Sequence, residues 1–339
     1  MRRLSLLLIF LLIFTLSFSG CARQSQPPKE NPPVEELKIS DYFPTAANLY
    51  WIYEGVGNEY AGGRVDTEFI DENRVQLSQD NGGTVLARVF EVNEYGVKLI
   101  FSKEESYYRI NYLNETPEQE KFYLKAPLKV GTSWQDGETT WTIASLEEKI
   151  KVPAGEYVCI KVVGKSKDST LERYFAKGVG LVKQKFIAGE AVVEDNLSKF
   201  GDAEKDNNLP KKELVIFYPS QNIDKVLKDG INETFKTGES LADKITNILK
   251  QDKYRVLSKD VKLLDLERKD TVLRVNFSKD LISGMNAGSS YEGLILDSIV
   301  NTYGNNFGVE GVIINIEGKG YESGHFAFGK DEVLKVKQH

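Results

Sequence analysis

The chain carries few of the side chains that catalytic and metal sites need. Its 339 residues include two histidines, His325 and the terminal His339, and two cysteines, Cys21 and Cys159. A Ser-His-Asp or Cys-His arrangement would have to use His325, yet no serine stands in the glycine pattern of a nucleophile elbow. The sequence also contains no HExxH motif and no paired CxxC motif. It therefore predicts no metal and no cofactor, and it favours a packed or capping histidine over a catalytic base at position 325.

Two carboxylates keep a hydrolytic alternative open. Asp280 and Glu292 flank a turn rich in glycine and serine, and glycoside hydrolysis needs only two acids at a set separation. Each residue also has a structural explanation, because Asp280 suits a turn and Glu292 completes a capping box with Ser289 at the start of a helix. The sequence therefore favours a protein that is not an enzyme, with an envelope hydrolase as the remote alternative.

Three neighbouring aromatic residues are the candidates for ligand contact. Tyr50, Trp51 and Tyr53 stand in a stretch whose composition predicts a β-strand. Exposed rings on a strand could form a platform for a glycan, whereas aromatic residues that alternate along a strand more often fill a core or cover the end of a barrel. Both interpretations stay open, and the first makes peptidoglycan one of the partners to consider.

The N-terminus has the pattern of an export signal. Arg2 and Arg3 precede an apolar run over residues 4–18, which is short for a membrane span and typical of a secretory signal peptide over residues 1–20. The sequence Phe-Ser-Gly-Cys that follows resembles the lipobox of bacterial lipoproteins, in which the cysteine is acylated. This resemblance implies lipidation of Cys21 and a protein held on the extracytoplasmic face of the cell membrane. An uncleaved anchor, or an ordinary signal peptide with an incidental cysteine, is the alternative.

The second cysteine, Cys159, lies in a predicted strand over residues 157–162. With Cys21 acylated, no intramolecular disulfide can form in the mature chain. A small buried apolar residue is favoured over a reactive thiol at this position.

The composition along the chain predicts two folded domains. Residues 21–38 are rich in proline and polar residues and read as an extended tether, and residues 201–212 read as a linker between domains. Residues 39–200 show short β-rich runs separated by turns, which predicts an all-β antiparallel domain built as a curved meander, a partial barrel or a sandwich. Residues 213–332 form the second domain.

The second domain mixes helical and strand periodicity. Two capping signals, at Ser240 and Ser289, start the predicted helices, and Gly304 is placed at the end of the second one. The predicted strands cover residues 214–218, 261–266, 272–277 and 312–316. The order is β-α-β-β-α-β, and the fold class of the whole chain is α+β.

Several phrases in this second domain resemble the GerMN domain of sporulation and spore germination proteins. They lie at residues 215–219, 273–278, 288–292, 299–302 and 316–318. Members of that family are typically extracytoplasmic and often lipoproteins, and their fold is similar to the ring-building modules of envelope assemblies. The resemblance therefore implies a non-catalytic part in an assembly at the cell envelope, with a link to sporulation or germination. The β domain is similar to uncharacterised extracytoplasmic lipoprotein domains at residues 41–44, 50–55 and 174–182.

The charge pattern limits the partners. The formal net charge is −6 and no basic stripe is evident, so nucleic acid is excluded as an expected partner. The remaining expectations are the membrane, through the lipid anchor, and other envelope proteins or self-association. The alternative function is an envelope lipoprotein that binds peptidoglycan or lipid through its β domain.

Overall fold

Alternating apolar and polar residues build one long antiparallel sheet in the first half of the chain. The computed structural model describes residues 36–285 and 287–337, and it places twelve strands in this sheet. The predicted all-β antiparallel domain is confirmed. The predicted signal peptide, Cys21 and the tether lie outside the described residues, apart from residues 36–38. The strands are β1 (Leu49–Val56), β2 (Gly62–Asp71), β3 (Arg74–Asp80), β4 (Val85–Asn93), β5 (Gly96–Lys103), β6 (Lys121–Lys125), β7 (Ser133–Asp136), β8 (Thr139–Val152), β9 (Gly155–Lys165), β10 (Thr170–Ala176), β11 (Gly180–Ala188) and β12 (Ala191–Asp202).

The twelve strands curl into a nearly closed barrel. Each strand pairs with its neighbours in sequence, except that β1 pairs with β12 and leaves β6 and β7 at the two ends of the sheet. These ends approach each other, because the ring centroids of Phe122 on β6 and Trp134 on β7 are 6.5 Å apart. Of the three predicted arrangements, the partial barrel is therefore the one observed. We call residues 39–202 the near-barrel.

A short N-terminal helix fills one part of the near-barrel. Helix α1 (Ile39–Tyr42) and the following Phe43 bury their side chains against the strands, and the rings of Phe43 and Phe90 are 5.1 Å apart. Phe90 and Phe175 are almost fully buried in the same cluster. Because burying one such side chain stabilises the fold by about 2 kcal/mol, this cluster holds α1 and the strands together.

The C-terminal domain combines a mixed sheet with helices. Helices α2 (Leu241–Leu249) and α4 (Ser289–Phe307) contact each other and three strands of one sheet, β15 (Leu263–Lys269), β16 (Val272–Phe277) and β17 (Gly311–Ile316). Strands β15 and β16 are antiparallel. Strands β16 and β17 are parallel, and α4 lies in the connection between them. Ser240 caps α2 by accepting the amide of Asp243 at 3.0 Å, as the sequence predicts. The elements are β13 (Lys211–Pro219), β14 (Val226–Thr234), α2 (Leu241–Leu249), β15 (Leu263–Lys269), β16 (Val272–Phe277), α3 (Asp280–Ser283), α4 (Ser289–Phe307), β17 (Gly311–Ile316), β18 (Lys319–Gly320) and β19 (Leu334–Lys335).

The structure adds elements to the predicted β-α-β-β-α-β order. Strand β14 forms a separate two-stranded sheet with β13, in a segment where the sequence predicts no strand. Its polarity explains the difference, because β14 is exposed at every second residue and has few large apolar side chains. The one-turn helix α3 and the short strands β18 and β19 are also additions.

Polar side chains of α4 complete the backbone hydrogen bonding of β13. Asn306 accepts the amide of Val215 at 3.0 Å and donates to its carbonyl oxygen at 2.7 Å. Thr302 accepts the amide of Phe217 at 2.9 Å. Thr302 and Asn306 are both buried, so each replaces a strand partner at an edge that water cannot reach.

Both ends of α4 differ from the sequence prediction. The N-cap is Gly288 and no side chain caps the helix, so the predicted capping box between Ser289 and Glu292 is wrong. At the other end the helix continues past Gly304 and stops at Gly308, whose φ of 59° is left-handed. Gly304 has a packing role, because a Cβ atom there would come within 2.2 Å of the Val336 side chain. No helix within residues 36–285 and 287–337 is long and apolar enough to cross a membrane.

Arg109 joins the near-barrel to the C-terminal domain. Its guanidinium lies 3.5 Å from the Glu68 carboxylate of the near-barrel and donates to the carbonyl oxygens of Lys236 and Glu239, at 3.1 and 3.2 Å. Its guanidinium carbon also lies 5.0 Å from the ring centroid of Phe235. Glu68 is 2% exposed. Burial raises the pKa of Glu68 and lowers that of Arg109, so each group depends on the other to stay charged.

Further contacts widen this interface. Asn48 and Thr237 exchange two hydrogen bonds at 2.7 and 2.8 Å, and the amide of Gly238 donates to the carbonyl oxygen of Glu68 at 2.9 Å. The rings of Tyr108 and Phe307 stack at 5.7 Å. The two domains belong to one compact unit, and residues 203–210 connect β12 to β13.

Truncation of Arg109 tests how much this side chain stabilises the protein, through Glu68 in the near-barrel and through its contacts with the C-terminal domain. In Arg109→Ala the Glu68 carboxylate stays buried and keeps only the Gln76 amide, 2.7 Å away, as a side-chain donor. We expect the free energy of unfolding in urea to fall by about 3 kcal/mol, because a buried charge loses its partner. The double variant Glu68→Gln/Arg109→Ala should recover part of that loss.

The control is Lys151→Ala, which removes an exposed ion pair with Glu156 in which both side chains are about four-fifths exposed. That change should alter the free energy of unfolding by less than about 1 kcal/mol. A loss in Arg109→Ala no larger than in this control would contradict the role given to Arg109.

Candidate functional site

A cavity lies inside the near-barrel, and six of the sixteen residues of its wall are aromatic. Its volume is about 90 Å³, and it is partly open to solvent. Strand alternation explains the wall, because residues two apart on one strand share a face. The aromatic lining residues are Phe43, Trp51, Tyr53, Phe90, Tyr123 and Phe175, and the polar ones are Gln79, Arg88, Gln184 and Asp195.

The structure separates the three predicted ligand-contact residues. Trp51 and Tyr53 share a strand face and line the cavity, whereas Tyr50 is not among the residues of its wall. Tyr50 is fully buried, and its hydroxyl donates to Asp206 at 2.6 Å. The three rings therefore do not form one platform. Ligand contact by Trp51 and Tyr53 stays a prediction, and for Tyr50 the structure shows a packing role.

Hydrogen bonds fix the two aromatic residues of the wall. The indole of Trp51 donates to the carbonyl oxygen of Val179, and the hydroxyl of Tyr53 donates to that of Leu181, both at 2.7 Å. Burial, reinforced by the negative charge of Asp195, raises the pKa of Tyr53 well above its ordinary value. Tyr53 therefore stays a neutral donor, and its hydrogen bond fixes the position of its ring in the wall.

Sequence analysis missed two arginines inside the near-barrel. Arg88 precedes Phe90 by two residues and lines the cavity, and Arg173 stands in the same relation to Phe175. The Arg173 guanidinium lies 3.8 Å from the ring of Tyr123 on β6 and 4.5 Å from that of Trp141 on β8, so it bridges the seam between the two ends of the sheet. In each case the arginine lies two residues before a core phenylalanine on the same strand. This spacing is the sequence signal that could have identified both arginines.

A second cluster of polar side chains surrounds Glu292 in the C-terminal domain. The Glu292 carboxylate is 3% exposed and accepts hydrogen bonds from the hydroxyls of Tyr321 and Ser323 and from Nδ1 of His325, the first and last at 2.7 Å. Burial acts to raise the pKa of Glu292, but these three bonds outweigh it and hold the pKa below its ordinary value. The cluster therefore fastens the loop after β18 to helix α4.

The geometry of this cluster fits a structural role and does not fit a catalytic relay. The Ser323 hydroxyl donates to Glu292 and also approaches the carbonyl oxygen of Phe326, whereas a relay through His325 would need a hydroxyl at the other ring nitrogen. Asp280 accepts the hydroxyl of Ser278 at 2.9 Å. The Asp280 and Glu292 carboxylates considered for hydrolysis are thus both engaged within the fold. Within the described residues, no group of three or more His, Cys, Asp and Glu side chains could hold a metal ion.

Cys159 is a fully buried free thiol on β9. Burial, with a smaller contribution from the negative charge of Glu148, raises the pKa of the thiol to about 12. The thiolate is therefore scarce at neutral pH, and the structure agrees with a packed residue at this position.

Acidification tests the Glu292 cluster. Because the folded-state pKa of Glu292 lies below its ordinary value of 4.5, the carboxylate adds stability that is present above pH 4.5 and lost as the pH falls through the folded-state pKa. Glu292→Gln should be less stable at pH 7 and should lose less stability than the parent below pH 4.5. Urea unfolding followed by circular dichroism between pH 7 and pH 3 measures this difference.

The exposed neighbour Glu322 provides the control. The variant Glu322→Gln should keep the pH dependence of the parent protein. Parallel stability curves for the parent and Glu292→Gln over the whole range would show that the carboxylate carries no folding energy.

The C-terminal domain matches a known family. Residues 215–322 match the Germane model, which describes sporulation and spore germination. The resemblance inferred from the sequence is therefore confirmed, and this part of the chain is a GerM-type domain. No curated protein shows significant similarity to the chain.

Solved structures with limited likeness include one of the same family. The tandem GerMN domains of the sporulation protein GerM from Bacillus subtilis are 20% identical, over 38% of this chain and 46% of that one, with a TM-score of 0.28. A protein from Bacteroides fragilis, described as exported and with a YmcC-like fold, is 13% identical over 47% of this chain and 98% of its own, with a TM-score of 0.32. A protein described as a lipoprotein, from Clostridium perfringens, is 20% identical over 37% of this chain and 93% of its own, with a TM-score of 0.23.

Proposed function

We propose that this protein is a lipid-anchored component of the bacterial cell envelope that acts by binding other proteins, without catalysis. In this proposal Cys21 carries the lipid on the extracytoplasmic face of the membrane. The near-barrel holds the GerM-type domain in a fixed orientation, where it assembles with envelope proteins or with further copies of itself during sporulation or germination. The observation that carries the proposal is the buried contact of Arg109 with Glu68 and with two carbonyl oxygens of the GerM-type domain.

The GerM-type domain offers surfaces suited to protein contacts. Among the described strands, β15 pairs only with β16, and β14 pairs only with β13, so each has an edge without a strand partner. Leu264 on β15 is 49% exposed. Free strand edges accept an added strand through main-chain hydrogen bonds, which is a recurring mode of protein association.

Substitution of the predicted acylation site tests the anchor. Cys21→Ala removes the thiol to which the lipid would be attached, so we expect the protein to move from the membrane fraction to the soluble extracytoplasmic fraction. Immunoblots of fractionated cells measure this change. Cys159→Ala is the matched control and should stay with the membrane, since that thiol is buried in the near-barrel. A Cys21→Ala protein that remains with the membrane would refute the lipid anchor.

Photo-crosslinking in living cells tests the partner proposal. A crosslinking amino acid at position 264, on the free edge of β15, should capture discrete protein partners or a second copy of the chain. The matched control is position 158 on β9, where Val158 is similarly exposed at 54% but belongs to the near-barrel. The proposal fails if position 264 captures nothing, or if both positions give the same products.

A second candidate function is ligand binding by the near-barrel, with peptidoglycan or lipid as the ligand. It is favoured by the cavity that Trp51 and Tyr53 line. Sedimentation with purified cell wall separates the peptidoglycan form of this candidate from the first proposal, because a protein that works only through other proteins should stay in the supernatant.

A further inference from the structure

Two arginines inside the near-barrel, Arg88 and Arg173, use few of their hydrogen-bond donors. Arg88 donates from Nη1 to the Gln79 side-chain oxygen at 2.7 Å, and Arg173 donates from Nε to the Gln184 side-chain oxygen at 3.2 Å. Across residues 36–285 and 287–337, neither guanidinium forms an ion pair or a second hydrogen bond. Each group has five N–H donors, so most of its donor capacity is unused.

The one acidic residue among those described in the cavity wall, Asp195, differs from the arginines in its hydrogen bonding. Asp195 accepts the amide of Gly62 at 2.7 Å through one oxygen and the Gln184 side-chain nitrogen at 3.4 Å through the other. Among the described residues Asp195 forms no ion pair, but each of its oxygens accepts a hydrogen bond. The chemistry left unsatisfied in the cavity is that of a hydrogen-bond donor with positive charge, which calls for an anion.

Arg173 is the more constrained of the two arginines. It is 7% exposed, and burial lowers its pKa; the positive charge of Arg88 lowers the pKa further, whereas Tyr123 and Asp136 raise it. Of the two arginines, Arg88 is the one that lines the cavity, and a guanidinium in a partly buried site is costly without a counter-charge. An anion in the cavity beside Arg88 would reduce this cost.

Apolar side chains lie close to the polar residues of the cavity wall. The cavity is a chamber in which six aromatic residues share the wall with Arg88. Gln184 and Asp195 pair across β11 and β12, and the next pair on the same face is Phe186 with Val193, of which Phe186 is 38% exposed. Apolar surface is thus present both in the wall and next to two of its polar residues.

We infer that the near-barrel binds a small anionic amphiphile, a carboxylate or phosphate ester with a short apolar chain, whose head group is held by Arg88 and whose chain enters the aromatic chamber. This inference rests on the second candidate function and names its ligand class. The chamber, about 90 Å³, is smaller than the engineered cavity of about 150 Å³ that holds benzene, so it takes only a short chain. Both a free acid and the end of a membrane lipid have this chemistry.

Calorimetric titration of the mature chain with butanoate tests the inference. The chain carries Cys21→Ala so that it can be purified without detergent, and butanol provides a similar short chain without the charge. We expect one butanoate to bind per protein chain, about tenfold more tightly than butanol, because the head group makes charge-assisted hydrogen bonds. Arg88→Gln should weaken butanoate binding to the level of butanol and leave butanol binding unchanged.

Two further variants complete the design. Arg255→Gln makes the same change at an exposed site in the GerM-type domain and should leave binding unchanged. Leu77→Phe narrows the cavity and should weaken both ligands. Because Arg88→Gln leaves the apolar core intact, it remains informative even if Leu77→Phe fails to fold.

The outcomes separate the ligand class from the binding function. Butanol bound as tightly as butanoate, or butanoate binding unaffected by Arg88→Gln, would overturn the anionic class and leave ligand binding standing. If neither compound binds, both the ligand class and ligand binding by this cavity are refuted. Flotation with phosphatidylglycerol vesicles, lost in Arg88→Gln, would identify a membrane lipid as the source, whereas butanoate binding without flotation would identify a free acid.

Discussion

The arrangement of the two domains depends on the side chain of Arg109, which belongs to the near-barrel and reaches the C-terminal domain. Its guanidinium lies beside the Glu68 carboxylate, also of the near-barrel, and donates to two carbonyl oxygens of the C-terminal domain. Separation of the domains would leave the ion pair together but would take from the buried guanidinium its two carbonyl acceptors and the ring of Phe235. The near-barrel is therefore more than a spacer, since one of its buried charged groups completes its hydrogen bonding on the GerM-type domain.

Buried polar side chains with partners also organise the C-terminal domain around helix α4. Thr302 and Asn306 on α4 take the place of a neighbouring strand for β13, and Glu292 on the same helix gathers three donors from the loop after β18. Helix α4 therefore organises the hairpin on one side and the C-terminal loop on the other. Among the described residues of the near-barrel, the pairing of buried polar groups has exceptions, which include the indole nitrogens of Trp134 and Trp141. The ligand inference starts from Arg88 and Arg173, because these charged groups use few of their donors.

Local sequence signals predicted the elements, and long-range contacts decided the rest. The antiparallel β domain and the cap at Ser240 follow from alternation and from capping chemistry, which involve residues close in sequence. Strand β14 was missed because its polar residues resemble a loop. The role of Glu292 was misassigned because its partners lie about thirty residues away, at Tyr321, Ser323 and His325. The cavity depends on the pairing of β1 with β12, which no local pattern encodes.

Hydrogen exchange of the intact chain, followed by mass spectrometry, tests most directly whether the near-barrel holds the GerM-type domain. The amides of Thr237 and Gly238 donate to Asn48 and Glu68 across the domain boundary. If the two domains are docked, these amides should exchange about as slowly as amides within the strands of the sheet. Exchange of both amides at the rate of an unprotected loop would show that the domains separate freely, and it would contradict the account.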